Sequence, residues 1–243
     1  MQQQAGRVQT APAEGPVVVR DGFRWDDCDA YLFDIDGTLL QAHGGVHTDA
    51  FSWSVEAVMG HPLSMDGVAL HGSTDTAILR DAFRLAAIDD AVWRPRLEEI
   101  LERLRTRVHE KRQDMSVTVM PGVLSMLSHL RSRGKLLGVA TGNLEQIGWL
   151  KIEIAGLSDW FSFGGFSDHH AVRSDMIAHA LGAARKLAGP HVKVCVVGDT
   201  PSDIAAARAN GLPTIAVATG VFPYQTLLQH QPEVCTPTLE ALL

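Results

Sequence analysis

The sequence lacks the features that mark secreted and membrane proteins. Its three cysteines, Cys28, Cys195 and Cys235, are too few and too widely spaced for a disulfide framework or a CxxC metal pair. No apolar run approaches the roughly 18 residues that span a bilayer, and no basic segment followed by an apolar one opens the chain. We therefore predict a cytoplasmic protein in which Cys28 and Cys195 are reduced core residues.

The sequence is also short of positive charge. Its 21 lysine and arginine residues against 28 aspartate and glutamate residues give a formal net charge of -7. Because proteins that bind nucleic acid or anionic membranes need a basic surface, neither is predicted as a partner. With 46% apolar, 20% charged and only 6% aromatic residues, the composition is that of an ordinary globular protein. The length of 243 residues suits one large domain or a core with an insertion.

Four apolar runs, each stopped by glycine and polar residues, indicate strands that are buried on both faces. They lie at residues 30–33, 136–140, 192–197 and 214–218. Helical patterns lie at residues 123–131, 144–155, 175–187 and 203–209. Asn143 and Ser174 are the predicted N-caps of two of these helices. This alternation predicts an α/β fold built on a doubly wound parallel sheet with a Rossmann-like core.

Residues 43–115 interrupt the alternation. They contain no buried strand pattern but three helical patterns, at residues 48–59, 74–87 and 91–111. The simplest arrangement is a small all-helical domain inserted after the first strand. The predicted organisation is a flexible N-terminal tail over residues 1–25, an α/β core over residues 26–42 and 116–243, and this helical insertion.

Polar residues follow three of the predicted strands and would meet at one edge of the sheet, where ligands of such folds bind. They are Asp34 and Asp36, then Thr141, Gly142 and Asn143, then Asp199 and Asp203. Carboxylates this close together would bind protons unless a cation compensated them, and Mg²⁺ prefers oxygen ligands of this kind. Such a site suits displacement at phosphorus, with one carboxylate as nucleophile and a second as general acid and base.

The order of these motifs resembles the haloacid dehalogenase superfamily of phosphohydrolases. The resemblance is carried by DIDGTL at 34–39, TGN at 141–143 and GDTPSD at 198–203, each after an apolar run. Within the superfamily it is to phosphoglycolate phosphatase-like enzymes with a helical cap. The resemblance implies that residues 43–115 form this cap, which closes over the site and excludes water.

The resemblance also implies roles for the acidic residues. Asp34 would be the nucleophile and a Mg²⁺ ligand. Asp36 would be the general acid and base, with its backbone carbonyl on the metal. Asp199 would bind the metal directly, and Asp203 would bind it directly or through water.

The phosphoryl group would contact a different set of residues. Thr141 would hydrogen-bond it, together with the backbone N–H groups of Gly142 and Asn143 at the start of a helix. The family pattern also has a lysine or arginine before a helix near the third strand. Arg173 occupies that place and is predicted to hold the nucleophile and the phosphoryl oxygens. Lys151 is the fallback, although a lysine inside a helix is expected to be a solvated surface residue.

The helical insertion supplies candidates for substrate contact, namely His47, Ser73 and Thr74. The segment around Ser73 and Thr74 also fits a plain capping sequence for the helix that follows, and this alternative is equally open. A zinc site that includes His43 and His47 is disfavoured, because the two glycines between them break any helix that would align the pair.

The predicted function is therefore a Mg²⁺-dependent phosphatase that acts on a small phosphorylated metabolite through an aspartyl-phosphate. A phosphomutase of the β-phosphoglucomutase type is one alternative, and a non-catalytic phosphate-binding relative is another. A dehalogenase is disfavoured, because its chemistry needs neither the second carboxylate, Asp36, nor the metal pair, Asp199 and Asp203. We expect a small phosphorylated substrate as partner and a monomer or a homodimer.

Overall fold

The computed structural model describes residues 15–243, which contain one seven-stranded sheet and a separate two-stranded ribbon. The strands are β1 (Val18–Val19), β2 (Ala30–Phe33), β3 (Leu40–His43), β4 (Ser116–Val119), β5 (Leu136–Ala140), β6 (Phe163–Gly165), β7 (Val194–Gly198), β8 (Thr214–Val217) and β9 (Val234–Thr236). The helices are α1 (Val46–Met59), α2 (Asp75–Leu85), α3 (Asp90–Trp93), α4 (Leu97–Glu110), α5 (Val123–Ser132), α6 (Glu145–Ile154), α7 (Arg173–Ala188), α8 (Pro201–Ala209) and α9 (Tyr224–Gln229). No helix within residues 15–243 is long and apolar enough to cross a membrane.

The sheet has helices on both faces, and its strand order is β1-β9-β8-β7-β2-β5-β6. All the strand pairs in this sheet are parallel except that of β1 with β9. Alternate residues of β2 enter different clusters: Tyr31 and Phe33 pack with α5, whereas Ala30 and Leu32 pack with α7 and α8. This burial on both faces explains why the central strands are continuously apolar. The predicted doubly wound parallel fold is confirmed.

The N-terminal segment differs from the flexible tail predicted over residues 1–25. Residues 1–14 of that tail lie outside the described residues. Beyond them, Val18–Val19 forms the edge strand β1, which pairs antiparallel with β9. The guanidinium of Arg20, which follows β1, donates at 2.6 Å to the carboxylate of Glu233, which precedes β9. The short strand was missed because two residues carry no periodicity.

The helices α1 to α4 pack around a second hydrophobic cluster, to which α6 of the core also contributes Ile147 and Leu150. The rings of Phe83 and Trp93 stack within it, with centroids 5.0 Å apart. The single pattern predicted at residues 91–111 is divided into α3 and α4 by a 3₁₀ turn at Arg94–Arg96, where Pro95 has no N–H to donate. The insertion joins the sheet through the ribbon of β3 and β4, which pair antiparallel. The ribbon was not predicted, because its strands are short and half-exposed.

Both predicted N-caps are wrong. Helix α6 begins at Glu145 with Leu144 at the N-cap, and helix α7 begins at Arg173 with Val172 there; neither N-cap makes a side-chain hydrogen bond. Asn143 instead lies one residue before the N-cap of α6, where its side chain is available to the site. Cys28 and Cys195 are buried and free, in agreement with the reduced core residues that we expected, and Cys235 is buried and free as well.

Candidate active site

The three motifs meet at the carboxyl ends of adjacent strands. Asp34 directly follows β2, Thr141 follows β5 and Asp199 follows β7, and β2 lies between the other two strands in the sheet. Chain connections run in opposite directions on the two sides of β2, and ligands of open α/β sheets bind at such a point. The fold therefore brings together the residues that the sequence separates by more than 160 positions.

Asp34, Asp199 and Asp203 form a buried acidic cluster, in which one carboxylate oxygen of each lies within 4.8 Å of the others. Burial raises the pKa of Asp34 to about 7, although Arg173 opposes the rise. Burial, together with the neighbouring Asp34, also raises the pKa of Asp199 well above its ordinary range. The raised pKa values mean that the surroundings do not offset the negative charge of these carboxylates. A divalent cation would provide the missing positive charge. The acidic cluster therefore fits a metal ion.

Arg173 is a buried cation in contact with this cluster. Its Nη2 lies 3.0 Å from Asp34 Oδ2 and 2.6 Å from Asp203 Oδ1, and its Nε also donates to Asp203 Oδ1 at 3.0 Å. Burial opposes the charged form, but the two carboxylates raise the pKa of Arg173 above its usual value. Arg173 thus lies beside Asp34, where the sequence places the basic residue of the family pattern.

Asp203 has a structural contact in addition to its place in the cluster. It is the third residue of α8, and its Oδ2 accepts from the backbone N–H of Thr200 at 3.0 Å and from the Thr200 hydroxyl at 2.7 Å. The Thr200 hydroxyl in turn accepts from the Asp203 N–H, which completes a capping box. One carboxylate oxygen of Asp203 therefore caps α8, and the other contacts Arg173.

The glycine and the threonine of the first motif, Gly37 and Thr38, both contact Asp199. Gly37 has a φ of 86° and faces the Asp199 carboxylate, with which a Cβ at this position would collide. The hydroxyl of the buried Thr38 donates to Asp199 Oδ1 at 2.8 Å. These two residues let the strand ends approach closely and fix the orientation of Asp199.

Asp36 contacts Lys151 and Asn143 rather than the acidic cluster. Lys151 Nζ donates to Asp36 Oδ2 at 2.7 Å and to Asn143 Oδ1 at 2.8 Å, and Asn143 Nδ2 donates to Asp36 Oδ2 at 2.8 Å. Burial alone would raise the pKa of Asp36, but Lys151 and Asn143 hold it below its ordinary value. The pKa values of Asp34 and Asp36 are therefore shifted in opposite directions, and carboxylates in such different environments can take different chemical roles.

Lys151 is not the solvated surface residue that we expected. Its side chain is only 3% exposed, and it lies on α6 facing the site. The sequence carried a signal of this burial. Apolar residues lie around Lys151 on several sides of the helix, namely Ile147, Leu150, Ile152 and Ile154. A helix that is apolar nearly all round is buried, and a lysine within it needs a buried partner.

Residues 141–143 form a turn between β5 and α6, which is predicted to bind the phosphoryl group and is therefore called the phosphate-binding turn below. Thr141 is 1% exposed, and its hydroxyl oxygen accepts from Asn143 Nδ2 at 2.7 Å. This contact leaves the hydroxyl hydrogen of Thr141 to be donated to a ligand. The turn precedes α6, whose N-terminal end favours an anion.

A cavity of about 230 Å³ lies over this edge of the sheet, between the core and the helical insertion. His47 and Ser73, two of the predicted substrate residues, line it. Thr74 does not, because it is the N-cap of α2, where its hydroxyl accepts from Ala77 N–H and donates to the Ala171 carbonyl. The capping alternative therefore describes Thr74, and the predicted substrate contact does not.

A parallel sheet with an aspartate pair, a phosphate-binding turn and an acidic cluster at its carboxyl edge defines a phosphohydrolase. The sequence matches the haloacid dehalogenase-like hydrolase family over residues 28–211, and the chain belongs to this family. The predicted resemblance is thus confirmed, and so is the expected enzyme class, a phosphoric monoester hydrolase.

Relatives and solved structures agree with this assignment. The chain is 26% identical to a phosphoglycolate phosphatase of Agrobacterium fabrum, over 87% of this chain and 89% of the relative. It is also 26% identical to the pyrophosphatase PpaX of Bacillus pumilus, over 87% and 93% of the two chains. A haloacid dehalogenase-like family hydrolase from Streptococcus pneumoniae has the same fold, with a TM-score of 0.57 at 20% identity over 84% of this chain and 91% of that one.

Proposed function

We propose that the chain is a Mg²⁺-dependent phosphatase that hydrolyses a small phosphorylated metabolite through an aspartyl-phosphate at Asp34. The observation that carries the proposal is the separation of two carboxylates within one motif. Asp34 lies in the acidic cluster beside Arg173, whereas Asp36 lies beside Lys151. Asp34 can attack phosphorus while Asp36 transfers protons. The phosphatase and pyrophosphatase relatives support a small anionic substrate.

The acidic cluster is the proposed metal site, with Asp34, Asp199 and Asp203 as side-chain ligands and the backbone carbonyl of Asp36 as a further one. Mg²⁺ bound there would neutralise the carboxylates and the charge of the transferring phosphoryl group. Arg173 would also bind a phosphoryl oxygen through Nη1, because its Nε and Nη2 already contact Asp203 and Asp34.

The proposed reaction has two steps on this chain's own residues. A carboxylate oxygen of Asp34 attacks phosphorus, the bond to the leaving oxygen breaks, and that oxygen takes a proton from Asp36. Water then attacks the phosphoryl group and gives its proton to Asp36, while the bond between phosphorus and Asp34 breaks. The lowered pKa of Asp36 favours its ionised form and suits the second step. The first step requires substrate binding to weaken the contact of Asp36 with Lys151.

We propose further that residues 26–42 and 116–243 act as the catalytic core and residues 43–115 as its cap. The phosphoryl group would lie between Asp34 and the phosphate-binding turn. The leaving group would extend toward His47 and Ser73, on the side of the cavity that the insertion forms. Closure on this side would exclude water during the first step.

The test is release of inorganic phosphate from p-nitrophenyl phosphate, with Mg²⁺ and with a chelator, by the wild type and by Asp34→Asn. We expect turnover only with Mg²⁺ and none in the variant, because an amide is a poor nucleophile. Asp159→Asn, which changes an exposed carboxylate, is the matched control and should retain full activity. Borohydride added during turnover should reduce the acyl phosphate and convert Asp34 to homoserine, which mass spectrometry detects.

Three results would contradict the proposal. One is wild-type activity in Asp34→Asn, and another is turnover that does not depend on a divalent cation. The third is reduction by borohydride at a carboxylate other than Asp34.

A further inference from the structure

Helix α6 begins without a cap of its own. Its N-cap residue is Leu144, whose side chain has no oxygen to accept the first N–H groups of the helix. Two distant carboxylates accept them instead. Asp75 Oδ2 accepts from Leu144 N–H at 2.8 Å, and Asp168 Oδ2 accepts from Glu145 N–H at 2.7 Å.

Asp75 belongs to the helical insertion, at the start of α2, and it contacts the turn before α6 a second time. Its backbone N–H donates to the Gly142 carbonyl at 2.8 Å. The two hydrogen bonds of Asp75 therefore bracket Asn143, the residue whose amide reaches both Thr141 and Asp36. The Asp75 side chain is 3% exposed, so water does not substitute for it in this arrangement.

The insertion approaches the turn too closely for any residue but glycine at position 142. A Cβ on Gly142 would collide with the carbonyl oxygen of Ser73. The second capping carboxylate also depends on the insertion, because Asp168 Oδ1 accepts from Arg105 of α4 at 3.1 Å. The first turn of α6 is thus held directly by Asp75 of the insertion, and by the core residue Asp168, which Arg105 of the insertion contacts.

We propose that Asp75 is a positioning residue, through which docking of the insertion sets the geometry of the phosphate-binding turn. This inference rests on the proposed phosphatase function. With the insertion docked, Asp75 caps α6 and fixes residues 142 and 144, and so holds between them Asn143, whose amide contacts Thr141 and Asp36. When the insertion moves away, α6 loses that cap. A leaving group that holds the insertion in place therefore promotes its own reaction.

The test compares Asp75→Ala with Asp75→Asn in the full chain. Asparagine keeps an oxygen that accepts from Leu144 N–H, and it is as good an N-cap as aspartate; alanine keeps none. We expect Asp75→Ala to lose about 10²-fold in kcat on p-nitrophenyl phosphate, the size of effect that a small misplacement in an active site produces. We expect its KM to change much less, and Asp75→Asn to retain most of the activity.

A second measurement separates positioning from general damage to the fold. Amide hydrogen exchange at residue 144 should accelerate in Asp75→Ala and stay slow in Asp75→Asn, while exchange in β2 and β7 remains unchanged. Asp81→Ala is the matched control, because Asp81 lies on the same helix and pairs with Arg80 and Arg84 at the surface. It should behave as the wild type in both measurements. If Asp75→Ala does not fold, Asp75→Ser replaces it, because a serine hydroxyl is too short to reach Leu144.

Equal losses of kcat in the alanine and asparagine variants would overturn the inference, since they would indicate a requirement for charge rather than for a cap. Unchanged hydrogen exchange at residue 144 in Asp75→Ala would overturn it as well. A wild type that releases no phosphate would refute the proposed function instead, and the exchange measurement would still decide whether Asp75 holds the turn.

Discussion

Lys151 makes contacts with both the core and the helical insertion. Its ammonium group donates to Asp36 and Asn143 and lies 3.2 Å from His47 Nδ1, and His47 Nε2 lies 3.3 Å from Asp75 Oδ2. A single buried cation thus orients the proposed acid and base and the amide beside the phosphate-binding turn. Lys151 is buried in this ion pair whereas Asp36 is 37% exposed, so that removal of Asp36 would leave a buried ammonium group without compensation.

We expect Lys151→Met to lower kcat by about 10²-fold, at the lower end of what general acid–base catalysis contributes. The acidic limb of the pH–rate profile should move to higher pH, because Asp36 loses the cation that holds its pKa down. Mg²⁺ affinity, measured by calorimetry, should change little, since Lys151 does not contact the acidic cluster. Lys186→Met alters an exposed lysine and is the control. An unshifted acidic limb would count against a role of Lys151 at Asp36.

The site residues that could be predicted from the sequence are those whose position is set by the strand that they follow. Asp34, Thr141 and Asp199 each follow a buried strand directly, so strand order alone brings them to one edge. Lys151 and Asp75 depend on how helices from different parts of the chain pack against that edge. Such contacts have no fixed spacing, so that Asp75 was missed, and Lys151 was named only as the fallback for Arg173, without its contact to Asp36.

The N-terminus of helix α8 contains residues that both cap the helix and hold the acidic cluster. Thr200 and Asp203 satisfy each other's backbone N–H groups at its N-terminus, while the other oxygen of Asp203 accepts from Arg173. The helix end thereby holds a carboxylate of the acidic cluster in one orientation. A change at Thr200 should consequently affect both the helix and the cluster.

We expect Thr200→Ala to lower the free energy of unfolding by about 1 kcal/mol, the typical cost of losing an N-cap side chain. Urea denaturation of the metal-free protein measures this change. Ser125→Ala, at an exposed position of α5, is the control and should cost much less. A Thr200→Ala variant as stable as the control would show that the capping box contributes nothing measurable to the fold.

The elements could be predicted where apolar runs are long or helical periods are complete. Strands β2, β5, β7 and β8 were found, because burial on both faces makes them continuously apolar. Strands β1, β6 and β9 were missed because they have only two or three residues, and β3 and β4 were missed because they are half-exposed. The start of α6 was misplaced because its capping groups come from elsewhere in the chain.

At the scale of the whole molecule, the metal-free fold buries Asp34 and Asp199 where the ionised form of a carboxylate is disfavoured. The pKa of Asp34 is about 7 in the folded protein, whereas an unperturbed aspartate titrates near about 3.9. Between these values the folded state binds a proton that the unfolded chain has lost. This contribution to stability is present at low pH and is lost as pH rises through 7. Asp199, whose pKa is also raised, acts in the same direction.

A bound divalent cation reverses this loss, so that the stabilisation it provides should grow with pH. We expect Mg²⁺ to raise Tm more at pH 8 than at pH 6, because at pH 6 the cation must displace protons from the acidic cluster. At 100 times Kd the stabilisation is about 2.7 kcal/mol, or a shift of about 5–10 °C at roughly 2–4 °C per kcal/mol for a chain of this size. Scanning calorimetry with Mg²⁺ and with a chelator at both pH values measures the shifts, and Asp199→Asn should reduce them. A larger shift at pH 6 than at pH 8 would mean that the cation does not bind at these carboxylates.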